Sequence, residues 1–102
     1  MRKWRETLIE KLKYNPEEAS EYLNAALEAY DEEQDMGAFL VALKTLVEAK
    51  GGIQWLSEKT KLNRSQLYRM LSSSGNPTLY SLNLILPVVG MRLKIIKAKE
   101  NV

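Results

Sequence analysis

The chain has 102 residues, 45% hydrophobic and 27% charged, with a formal net charge of +2; this is the range of one small globular domain and not of a disordered chain. It contains no cysteine and no histidine, which excludes a disulfide framework, a thiolate zinc site and Ser-His or Cys-His nucleophile pairs, so neither an enzyme nor a cofactor is expected. No stretch approaches the ~20 apolar residues of a membrane span, and the basic start Met1-Arg2-Lys3-Trp4-Arg5 runs into an amphipathic pattern without an apolar h-region, so the cytoplasm is the expected compartment and no membrane partner is called for.

In chain order, Trp4, Leu8 and Leu12 recur at spacing four beside Ile9, which predicts a short amphipathic helix over residues 4–13. Asn15-Pro16 ends it and begins the next, with Asn15 as N-cap, Pro16 at the first helical position and Glu18 completing a capping box. Ala19, Tyr22, Leu23, Ala26, Leu27 and Tyr30 then follow at i, i+3, i+4, i+7, i+8 and i+11, an apolar stripe on a second helix. Asp35 is placed to cap a third, with Phe39, Leu40, Leu43, Leu46 and Val47 as its buried stripe and Gly51-Gly52 as its stop. Three short helical patterns follow, over residues 53–60, over residues 64–72, and from Thr78, where Leu79, Leu82, Ile85, Leu86 and Val89 form the inner face and Pro87 interrupts. After Gly90, Met91-Arg92-Leu93-Lys94-Ile95 alternates apolar and basic side chains, a pattern compatible with one short strand if it finds a partner, either an N-terminal segment or another subunit.

The small net charge hides an asymmetry. Residues 14–35 hold eight acidic side chains (Glu17, Glu18, Glu21, Glu28, Asp31, Glu32, Glu33, Asp35) and no basic one, whereas residues 36–102 hold ten Lys or Arg against three Glu. A basic half beside an acidic half points to a polyanion partner for the basic half. The chain therefore divides, on sequence, into an acidic helical extension over residues 1–35 and a basic domain over residues 36–97.

The most specific segment is residues 52–71. Two helices separated by about three residues must cross steeply. Ser57 supplies the small residue that such a crossing needs, Leu62 the apolar residue that closes the turn, and Leu67 and Leu71 the inward face of the second helix. Asn63 is the cap, with Gln66 three residues on to return the bond. Arg64, Ser65, Tyr68 and Arg69 remain on one outward face. Arginine reads guanine by a bidentate bond, and readout of the major groove uses the first turns of such a helix. These four are the candidate base-reading residues, and Gln54, Lys59, Lys61, Ser73 and Asn76 the candidate phosphate contacts, which set register and not sequence.

This frame resembles the helix-turn-helix of Cro/C1-type repressors. More closely, residues 16–94 resemble a bacterial addiction module antidote family, a HigA-like antitoxin group. The matching pieces are Tyr22-Leu23-Asn24-Ala25-Ala26-Leu27-Glu28, Ala49-Lys50-Gly51-Gly52, residues 62–72, Gly75-Asn76-Pro77-Thr78-Leu79 and Val89-Gly90-Met91-Arg92-Leu93. The resemblance implies an all-α, lambda repressor-like bundle of five to six helices that forms a homodimer on double-stranded palindromic operator DNA, neutralises a cognate RelE/ParE-like toxin and represses the shared operon. Three positions depart from the family pattern: Lys61 stands where the turn usually has glycine, Ser57 where alanine is usual, and Pro87 in a helix otherwise uninterrupted. The first helix, with Trp4, lies outside the match. Residues 79–89 and 91–96 are both candidate dimer surfaces. Two other readings stay open, a phage or mobile-element transcriptional repressor without a toxin, and a helical protein-interaction module whose acidic stretch docks a basic protein.

Overall fold

The computed structural model describes residues 2–33 and 36–99. Among them the regular structure is six α-helices and no strand: α1 (Arg2–Tyr14), α2 (Pro16–Glu33), α3 (Gly37–Lys50), α4 (Gly52–Thr60), α5 (Arg64–Met70) and α6 (Leu79–Val88). Among the described residues no helix is long and apolar enough to cross a membrane.

The centre is α3. The sequence predicts a stripe, and Phe39, Leu40, Leu43, Leu46 and Val47 are all buried, but so are Gly37, Ala42, Thr45 and Ala49. Ala38, Val41 and Glu48 stay exposed, so α3 is a core helix with one open face. Here α1, α2 and α4 all pack on it. Thr45 tolerates this position because its hydroxyl donates to the Val41 carbonyl at 3.0 Å.

Leu12 of α1 and Ala19 and Leu23 of α2 enter the same core, and Leu8, Ile9, Tyr22, Ala26 and Leu27 are half-buried against it. Trp4 is exposed. The spacing of four fixes only that Trp4 shares a face with Leu8; it does not supply protein opposite the first turn. An ion pair ties α1 to α3, Arg5 Nη2 to Glu48 Oε2 at 2.9 Å. Asn15 caps α2 by accepting from the Glu18 N–H at 3.1 Å, one half of the predicted box. Asp35 and the side chain of Tyr30 lie outside the described residues.

The last helix starts where predicted, with the Thr78 hydroxyl accepting from the Ser81 N–H. Leu82, Ile85, Leu86 and Val89 are buried, but Leu79 is exposed; the inward face begins one turn later because Leu79 sits in the first turn, ahead of the packing surface. Pro87 falls in the last turn. Two bonds end the helix there, Gly90 N–H to the Pro87 carbonyl at 3.0 Å and Met91 N–H to the Leu86 carbonyl at 2.8 Å. Gly90 is left-handed, with φ +83°, which completes a Schellman motif. The strand expected at residues 91–96 does not form. The segment is extended, but no strand lies beside it among the described residues, and a strand exists only by pairing.

Candidate nucleic-acid interface

The corner between α4 and α5 is built from short-range hydrogen bonds. α4 ends at Thr60 and is capped by Lys61, the one non-glycine residue with positive φ among those described (φ 67°, ψ 12°). That conformation costs a side-chain-bearing residue roughly 1–2 kcal/mol, and the surrounding bonds hold it. Ser57 Oγ donates to the Leu62 carbonyl at 2.6 Å. Thr60 Oγ1 donates to the Leu56 carbonyl at 2.9 Å and accepts from the Leu62 N–H at 3.3 Å. Ser57 is therefore a clasp across the turn as well as a small residue at the crossing, a role its size alone does not reveal.

Asn63 then opens α5 with a complete capping box. Its side chain accepts from the Gln66 N–H at 2.8 Å, and the Gln66 side chain accepts from the Asn63 N–H at 3.3 Å. Leu67 and Leu71 point into the core and are fully buried, and Leu62 is half-buried against it. The helix ends at Met70, two residues earlier than its pattern suggests. The chain then turns within the loop to α6, where Gly75 donates to the Ser72 carbonyl at 2.9 Å. A β-carbon on Gly75 would lie 2.3 Å from the Met70 carbonyl oxygen and 2.7 Å from that of Arg69, so only glycine lets the loop close against the end of α5.

This frame fixes what faces outward. Arg64 and Ser65 lie in the first turn of α5, Tyr68 and Arg69 one turn on, and all four are exposed. Neither guanidinium makes an ion pair with a described residue. Among the candidate phosphate contacts, Gln54 and Lys59 are on α4, Lys61 is in the turn, and Ser73 and Asn76 are in the loop before α6; all are exposed. Gln54 is engaged within its own helix, its Nε2 donating to Glu58 Oε2 at 3.2 Å.

One cation reaches this surface that the sequence does not flag. Lys44 of α3 places its ammonium 5.6 Å from the centre of the Tyr68 ring. A cation over an aromatic face is attracted by the ring quadrupole, so Lys44 orients Tyr68 and adds positive charge beside α5. Nothing in the local pattern of α3 marks Lys44, because the contact is made across the fold. No group of three or more acidic side chains that could hold a metal occurs among the described residues.

The other polar surface is α2, where Glu17, Glu21 and Glu28 are exposed and Glu18 is half-buried. The side chains of Asp31, Glu32, Glu33 and Asp35 lie outside the described residues.

Compared with known proteins, residues 7–97 match the model of a family described as probable addiction module antidote protein. No curated protein and no solved structure matches the chain.

Proposed function

The chain belongs to this addiction module antidote family, and from that premise we propose that it is the DNA-binding antitoxin of a bacterial type II toxin–antitoxin system. It acts in the cytoplasm as a homodimer, binds the operator of its own operon, and neutralises a RelE/ParE-like toxin made alongside it. On this reading α4 and α5 are a helix-turn-helix of Cro/C1 type, and the chain is kin to the HigA-like antitoxins.

The observation that carries DNA binding is the outward face of α5. Arg64, Ser65, Tyr68 and Arg69 are exposed together on a helix whose opposite side is locked into the core by Leu67 and Leu71. A rigid helix with free guanidinium groups in its first turns is what direct readout of base edges requires. Lys59, Lys61 and Lys44 surround it with charge for the phosphates. The acidic face of α2 supports the second role, since a toxin that acts on RNA presents a basic surface for its own polyanionic substrate.

The test is a titration of the DNA upstream of the chain's own gene, followed by fluorescence anisotropy. Affinity should fall steeply with salt, by a slope of about 0.9 per phosphate neutralised. Arg64→Ala and Arg69→Ala should each cost about 1–3 kcal/mol on the cognate site and relax preference at one position per half-site, while Lys59→Ala weakens binding to all sequences alike. Equal loss on random and cognate DNA for all three would overturn the assignment of base readers.

A further inference from the structure

Of the four outward side chains of α5, Tyr68 is the one with a charge or ring contact to another helix, the Lys44 ammonium 5.6 Å from its ring centre. The ring is half exposed. At such a site a cation over an aromatic face favours one side-chain arrangement only about two- to fivefold, so any competing partner for the ammonium undoes it.

The competitor is built into α3. Glu48 follows Lys44 by four residues, and side chains four apart on a helix are neighbours that pair when their charges are opposite. Glu48 is the only acidic side chain of α3 and is exposed on the same open face. A bond at this spacing does form one helix later, where Gln54 Nε2 donates to Glu58 Oε2 at 3.2 Å. Glu48 nevertheless leaves Lys44 alone. It accepts instead from Arg5 Nη2 of α1 at 2.9 Å, and Lys44 makes no ion pair with a described residue. The arginine of one helix thus occupies the carboxylate that would otherwise draw the lysine of another away from the tyrosine of a third.

We propose that Arg5 is a positioning residue for the DNA-reading face: by holding Glu48 it leaves Lys44 to fix Tyr68. α1 lies outside the corner of α4 and α5, so readout by α5 is set in part by a helix that has no need to touch the operator. The inference rests on the DNA-binding reading above and adds a residue on which that readout depends.

Two measurements test it, and the first needs no DNA. An aromatic ring current moves protons above its face upfield, so the terminal methylene of Lys44 reports by NMR how much of the time it stands over Tyr68. Tyr68→Ala, which removes the ring, sets the zero. The upfield shift should fall to about half or less in Arg5→Ala and return when Glu48→Gln is added. The second is a double-mutant cycle on the DNA upstream of the chain's own gene, read by fluorescence anisotropy. Arg5→Ala should weaken binding about two- to fivefold when made alone, and should change nothing when Glu48→Gln or Lys44→Met is already present. A Lys44 shift that Arg5→Ala leaves in place overturns the proposal. So does an affinity loss of the same size in the Glu48→Gln background, which would make Arg5 a phosphate contact in its own right. A wild type that binds this DNA no better than random DNA, while the shift behaves as expected, overturns the DNA reading and with it the part of Arg5 in readout, and leaves only the exchange of side-chain partners standing.

Discussion

The helix α2 and the corner formed by α4 and α5 are both polar surfaces on the same core, yet they are held in opposite ways. α2 runs for 18 residues and is held by a long apolar stripe; of its described members Ala19 and Leu23 are buried and Tyr22, Ala26 and Leu27 half-buried. Its cap is half of a box. α5 has 7 residues, too few to form a helix alone in water. It is held by a complete capping box, by the hydroxyl clasp of Ser57 and by two leucines that are wholly buried. The lesson is that a long amphipathic helix can be positioned by diffuse packing, whereas a short one that must present four side chains at fixed positions is fixed by a few specific bonds at its ends.

The contrast breaks hardest at the leucines. Leu67→Ala leaves a cavity under a fully buried side chain and should cost about 2–5 kcal/mol, read as a fall in the midpoint of chemical unfolding. Leu27→Ala removes a half-buried side chain from α2, and about 1 kcal/mol is expected. Similar losses for the two would show that α5 is not held more tightly than α2. Gly75→Ala comes next. The added β-carbon meets two backbone oxygens that cannot swing away, so a loss of about 1–3 kcal/mol is expected, with DNA affinity reduced because the end of α5 must shift. An unchanged midpoint would mean that the loop is free to move.

The caps sharpen the comparison on a finer scale. Asn63→Ala removes the side-chain bond of the box at 2.8 Å, keeps the one donated by the backbone N–H of residue 63, and should cost about 1–2 kcal/mol; Asn15→Ala removes a longer bond at 3.1 Å and should cost about 0.5 kcal/mol. Thermal unfolding of the two variants side by side gives the order. The smallest effect has the opposite sign. Lys61→Gly relieves the left-handed strain of roughly 1–2 kcal/mol but adds about 0.5–1 kcal/mol of chain entropy to the unfolded state. A net gain of about 0.5 kcal/mol is expected, and a destabilised variant would show that the Lys61 side chain contributes contacts that outweigh the strain.

Much of this architecture is legible in the order of the residues. The caps at Asn63 and Thr78, the inward Leu67 and Leu71, the stripe of α2 and the outward face of α5 all follow from residues within four or five positions of one another, because a helix couples i to i+3 and i+4. The left-handed backbone at Lys61 does not follow from the local sequence; only the resemblance, in which this turn position is usually glycine, hints at it. What misleads is the inference from sharing a face to being buried. Trp4 continues the stripe of α1 and Leu79 that of α6, and both face water, since burial depends on what stands opposite. Residues 91–96 have the period of a strand and remain unpaired for the same reason.

By itself, then, the sequence determined the order of the helices and the caps that open α2, α5 and α6, which side of each is apolar, and that two short ones meet at a tight turn with a basic outer face; these are local choices, set by backbone geometry and side-chain type. Only the tertiary structure decided that α3 is buried on all but one face, that Lys44 stands over Tyr68, that the Ser57 hydroxyl spans the turn, and that the extended segment after α6 forms one wall of a groove beside α2. Those depend on which surfaces are brought together across the fold, and a periodic pattern records only that an apolar face needs a partner, never which partner it meets.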